Sequence, residues 1–145
     1  MPKFMKMLND ISRSQAIYRQ GRVAAPDLAT GHYALILAVC REPGRSQEEL
    51  AQELCLNKST VTRSLACLEE HGYIERAPHS DDRRRLSVYP TARAQAVLPR
   101  LRAASRDWMR LLTEGIPEEE LAVFYAVLER MEARARAVLA GEGEA

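Results

Sequence analysis

Between Ser46 and Thr91 the chain reads SQEELAQELCLNKSTVTRSLACLEEHGYIERAPHSDDRRRLSVYPT, and this stretch limits the fold more than any other. Ser46 with Glu49 three residues on is a capping-box pattern, in which side chains satisfy backbone N–H groups left free at a helix start. Leu50 and Leu54 give that helix a buried side. Cys55-Leu56-Asn57 makes a turn, and Asn57 suits the N-cap of a second helix over about 58–70. On that helix Val61, Leu65 and Leu68 share one face. Ser59, Arg63 and Ala66 lie opposite, flanked by Thr62 and Cys67. Gly72 supplies the stop. Strand-like pieces follow at about 73–77 and 86–90. Between them lie the polar turn His79-Ser80-Asp81-Asp82 and then Arg83, Arg84 and Arg85. The order is helix, tight turn, helix, and a hairpin with a charged tip.

Such an order suits DNA. A helix fits the major groove, where base edges show a distinct donor and acceptor pattern. Lys58, Ser59, Thr60, Thr62 and Arg63 gather near the start of the second helix. The small hydroxyl residues permit close approach, Arg63 has the length to reach a guanine edge or a phosphate, and Ala66 can touch a thymine methyl. Guanidinium groups on a loop suit phosphates or a narrow minor groove. Asp82 is placed to orient one of them through a carboxylate pair. The plainer alternatives are an ordinary amphipathic surface helix and a solvated turn.

The rest of the chain reads as helix. Phe4, Met7, Leu8, Ile11 and Tyr18 recur at helical spacing over 3–20. A connector with Pro26 leads to a second helix at about 30–41, whose dense apolar run predicts burial. Thr91 can cap a long helix to about Leu112, with Val97, Leu98, Leu101, Ala104, Trp108, Leu111 and Leu112 on its buried side. Pro99 predicts a kink or an interruption there. After Gly115, Pro117 and three glutamates open a last helix with a stripe of Leu121, Phe124, Leu128, Met131 and Val138. The closing GEGEA predicts a frayed tail.

Length and composition exclude several classes. At 145 residues the chain is one domain over 1–145. Net charge is only +1, but Lys58, Arg63, Arg76 and Arg83–Arg85 fall in one region while the acids concentrate towards the C-terminus. No run approaches the roughly 18 apolar residues of a membrane helix. The start lacks the apolar core of a signal peptide, so a cytoplasmic protein without a membrane partner is expected. Cys40, Cys55 and Cys67 are an odd set without a CxxC pair, which argues against a disulfide framework or structural zinc. No nucleophile–base set, phosphate loop or metal cluster points to an enzyme, and no cofactor is expected.

With LAQELCLNKSTVTRSLACLEEHGYIER followed by DDRRR and YPT, the chain resembles the MarR family of winged helix-turn-helix regulators over nearly its full length. Asp82 and Arg84 match the D-x-R pattern of that family's wing. The resemblance implies a mainly α fold of six helices with a small β-hairpin wing. It implies a triangular homodimer, with a DNA-binding lobe at 28–91 and a helical dimerisation region at 1–27 and 92–145. The fourth helix would read double-stranded DNA. Family members typically repress genes from pseudo-palindromic sites and let go when a small ligand or an oxidant acts. Their effector pocket lies between the dimer helices and the DNA-binding lobe. By position Ile11, Arg13, His32, Tyr33 and Trp108 would line it, and the effector would be aromatic or phenolic.

The chain departs from the family in places. Cys55 stands where relatives usually have glycine; a positive φ there would strain a cysteine by roughly 1 kcal/mol. Cys67 stands where a larger polar residue is common. The family's oxidant-sensing cysteine near the N-terminal helix is missing, which leaves Cys55 and Cys67 as the redox candidates. His32 replaces a common glutamine. His71 and His79 are expected at the surface. Two alternatives to a ligand-released repressor stay open: a winged-helix module for protein assembly, and a thiol-based redox regulator.

Overall fold

Val61, Leu65 and Leu68 are buried to within 1% exposure and belong to one core shared by several elements. In the computed structural model, which describes residues 2–143, the chain forms six α-helices and a small sheet. In order they are α1 (Pro2–Gln20), a 3-10 turn (Thr30–His32) running into α2 (Tyr33–Arg41), β1 (Arg45–Ser46), α3 (Gln47–Glu53) and α4 (Lys58–Glu70). Then come β2 (Ile74–Pro78), β3 (Leu86–Pro90), α5 (Ala92–Leu112) and α6 (Glu118–Gly143). One cluster gathers Leu35, Ile36 and Val39 of α2, Leu50 of α3, the α4 face, Ile74, Val88, and Val97 and Leu101 of α5. Each such side chain contributes about 1.5–3 kcal/mol by leaving water.

The sheet has three strands rather than the two of the expected hairpin, in the antiparallel order β1-β3-β2. Arg45 and Arg76 both face Val88 across their ladders. β1 is too short to announce itself. It follows Gly44 directly, and its second residue, Ser46, already serves as the α3 N-cap. Gly44 has a φ of +90°, and a Cβ there would sit 3.3 Å from the Tyr89 ring. The position therefore needs glycine.

Thr91 caps α5 as expected, accepting from the Ala94 N–H at 3.4 Å while donating its hydroxyl to Gly72 O at 2.6 Å. The helix runs through Pro99 without the expected interruption. Proline removes the N–H that would meet the Gln95 carbonyl, but both positions are exposed and water can serve it.

The described residues fall into two compact units, divided after Trp108. In the second, Gly115 takes a φ of +77° and the Pro117 carbonyl accepts the Leu121 N–H at 3.1 Å. Glu118, Glu119 and Glu120 occupy the first turn of α6, where the helix dipole favours acid. The expected apolar stripe is only half covered at Leu121 and Leu128; Phe124, Met131 and Val138 are exposed. Leu111 and Leu112, expected to be buried, are exposed too. Helix α6 continues to Gly143, beyond the expected start of fraying. Glu144 and Ala145 lie outside the described residues. No helix among the described residues is long and apolar enough to cross a membrane.

Candidate nucleic-acid interface

The start of α4 is shaped by its cap. Asn57 Oδ1 accepts from the Thr60 N–H at 2.8 Å and from the Ser59 hydroxyl at 2.9 Å. Thr62 turns its hydroxyl back onto the Lys58 carbonyl at 2.8 Å. Both hydroxyls are thus committed to the helix itself. Thr60 is half-buried. Lys58 and Arg63 are exposed, and among the described residues neither head group has a partner. No acid lies in this first turn. The positive end of the helix and the Lys58 ammonium therefore face the same way electrostatically, towards an anion.

The turn before α4 has the strain its cysteine threatened. Cys55 is a non-glycine residue at positive φ, +52°. A left-handed conformation costs an L-residue roughly 1–2 kcal/mol.

The wing is braced along its backbone. The His79 N–H donates to Arg85 O at 2.7 Å, and the Arg85 N–H to Asp82 O at 3.0 Å. Asp82 Oδ1 accepts the Arg84 N–H at 3.0 Å. The expected carboxylate–guanidinium pair is replaced by this backbone bond, because the tight turn presents an N–H two residues on. Arg83 and Arg84 are exposed, with no ion pair among the described residues. Arg85 differs from both. It is half-buried and turned inward, donating to Ser46 Oγ at 2.8 Å and Glu49 Oε1 at 3.5 Å, with Glu48 Oε2 3.9 Å away. The Glu49 carboxylate thereby faces the wing rather than completing a capping box. The Ser46 half of the box is present, with the Glu49 N–H 3.2 Å from Ser46 Oγ.

The residues expected around an effector are spread over α1, the 3-10 turn, α2 and α5. Tyr33 is 1% exposed and belongs to the core, and it also lines a cavity of about 390 Å³ with Gly21, Val23, Pro26 and Leu28. Trp108 is half-buried, its ring 5.3 Å from that of Tyr18, over which Arg22 lies at 3.5 Å. Ile11 and Arg13 are exposed on α1. His32 is half-buried, with Nδ1 enclosed and without a partner among the described residues. Burial, and secondarily His71, hold its pKa below the ordinary imidazole range.

Arg19 joins this group unanticipated. Its Nη2 donates to Ser105 Oγ at 3.0 Å, its Nε is enclosed without a partner, and among the described residues no carboxylate pairs with it. Burial lowers the pKa of this guanidinium. In sequence it is one more arginine beside Tyr18; only burial singles it out.

The cysteines divide by environment. Cys40 is half-buried, and burial pushes its thiol up. Cys55 is exposed. Cys67 Sγ lies 3.6 Å from His71 Nδ1, but that nitrogen is also 2.8 Å from the Cys67 carbonyl. A carbonyl only accepts, so Nδ1 carries the hydrogen and cannot take the thiol proton. His71 and His79, expected at the surface, are both half-buried. Among the described residues no cluster of His, Cys, Asp or Glu is suited to a metal ion.

The fold has relatives among known proteins. The profile of the MarR family matches residues 26–85. The HTH-type transcriptional regulator YybA of Bacillus subtilis is 28% identical over 105 residues, 72% of this chain and 70% of its own. The crystal structure of MarR is 30% identical, covering 91% of this chain and 96% of that one at a TM-score of 0.76. A MarR family regulator from Listeria monocytogenes, solved with a 26mer DNA, is 19% identical; it covers 92% of this chain and 89% of that one, at a TM-score of 0.85.

Proposed function

The chain is a transcriptional regulator of the MarR family, and from that premise we propose that it works as a homodimeric repressor released by a small effector. One observation carries the DNA reading. Among the described residues Lys58, Arg63, Arg83 and Arg84 keep exposed cationic heads without ion pairs on α4 and the wing, while Arg41, Arg45, Arg76 and Arg85, the other arginines of 28–91, are all paired with acids. Helix α4 enters the major groove with Lys58, Ser59, Thr60, Thr62 and Arg63 foremost. Arg83 and Arg84 follow the backbone beside it, and Asp82 and Arg85 hold the wing in place. The Listeria protein solved with DNA supports this docking by its fold.

Pairing through 1–27 and 92–145 covers what one chain leaves bare. Met5, Met7 and Ile17 on α1 are more than half exposed, as are Val123, Phe124 and Leu139 on α6. Patches of that kind mark an interface. A two-fold dimer sets two α4 helices about one DNA turn apart, roughly 10 base pairs, over the 28–91 lobes. The effector is an aromatic or phenolic anion met by Arg19 and His32, whose enclosed nitrogens Nε and Nδ1 lack partners among the described residues. It releases DNA by binding the DNA-incompetent arrangement more tightly. The setting is the cytoplasm, where the operator is.

Footprinting of bound genomic fragments tests the reading. Two symmetric protections about one turn apart are expected. In sedimentation, Phe124→Glu with Met131→Glu should yield monomers that lose the symmetric footprint. A single asymmetric protection, or a wild-type monomer, would overturn the dimeric docking.

A further inference from the structure

Arg76 stands in the basic region of the sequence, yet its side chain is only 18% exposed. From β2, its Nη2 donates to Glu69 Oε1 at 3.0 Å and its Nε to Glu69 Oε2 at 3.4 Å. The Arg76 backbone N–H reaches the same Oε2 at 3.1 Å. Its Nη1 donates to Gln47 Oε1 at 3.1 Å. One side chain therefore joins the wing strand β2, the last turn of α4 and the first residue of α3.

We propose that Arg76 is a positioning residue for DNA readout, a strut that fixes the angle between α4 and the wing without touching DNA. A guanidinium fork closing on both oxygens of a carboxylate resists rotation as well as separation. The backbone N–H on Oε2 adds a third point of attachment, so Glu69 cannot slide along the strand. Both α4 and the wing must meet one duplex at once. A frame already at the right angle avoids the ordering cost that a rocking helix would meet on binding. Arg85, pinned to Ser46, holds the other strand of the hairpin to α3.

Glu69→Gln tests this, because electrostatics and the strut predict opposite signs. Removing a negative charge beside a DNA-binding helix should, by charge alone, tighten every duplex. It would also do so if the freed Arg76 reached a phosphate. The strut predicts weaker binding to the specific site by about tenfold, unchanged or tighter binding to a scrambled duplex, and an unchanged salt slope. Arg76→Lys, which keeps the charge and loses the fork, should show the same loss on the specific site. Amide exchange on the free protein gives a reading without DNA: the Arg76 N–H should exchange faster in Glu69→Gln, with core amides at Val61 and Leu65 unchanged. Tighter binding to both duplexes, equal loss on both, or no change on the specific site would overturn the proposal. It rests on the docking proposed above. If the wild-type chain prefers no site, that docking has failed, whereas unaltered exchange at Arg76 would refute the strut itself.

Discussion

The guanidinium of Arg85 donates to the buried hydroxyl of Ser46 at 2.8 Å, joining the end of the wing turn to the first cap of α3. Ser46 is wholly buried, so its oxygen depends on protein partners. Arg84, its neighbour in the run, is exposed and has no ion pair among the described residues.

Replacing each by alanine should separate them. Arg85→Ala should lower stability by about 1 kcal/mol, the ordinary worth of such a bond. Arg84→Ala should leave the melting temperature unchanged. It should weaken binding to all duplexes and lower the salt slope by about one, because one phosphate is no longer neutralised. Thermal melts and salt-titrated anisotropy measure both; a reversed pattern would reassign the two residues.

Cys55→Gly should stabilise the protein. The left-handed backbone costs a cysteine roughly 1–2 kcal/mol. Glycine removes that cost but gains about 0.4–1 kcal/mol of unfolded-state freedom. The expected gain lies between about zero and about 1.6 kcal/mol, read as an unchanged or higher urea midpoint at unchanged m. A lower midpoint would mean the thiol makes a compensating interaction.

His32 should make stability depend on pH. Its folded pKa is depressed, so between the folded and unfolded values the unfolded chain holds more protons. Stability then rises with pH across that window. The contribution is full above the ordinary imidazole value near 6.5 and is lost as pH falls through the folded value. His32→Gln should flatten the urea midpoint between about pH 7.5 and 5. An equal slope in the variant would place the linkage elsewhere.

Much of this was legible because local rules and packing agreed. Val61, Leu65 and Leu68 share a helical face, Asn57 and Thr91 cap as their chemistry predicts, and each sits where the periodicity puts it. Local pattern could not show where long side chains turn. Arg83, Arg84 and Arg85 are identical letters in a row, and only the approach of Ser46 across the sheet picks out the third. Arg19 and Arg76 likewise owe their roles to partners or burial supplied by distant segments. β1 was invisible because two residues carry no period. Leu111 and Leu112 show the same pattern as buried residues of α5, yet a single chain leaves them exposed.

Fluorescence anisotropy of the wild-type chain and Arg63→Ala, on the gene's own upstream DNA and on a scrambled duplex across a salt series, tests the central claim most directly. The account predicts strong preference for the upstream DNA and a steep salt dependence. Arg63→Ala should cost about 1–3 kcal/mol, more on the specific duplex than on the scrambled one. Equal, weak binding to both duplexes, unaltered by the loss of Arg63, would contradict it.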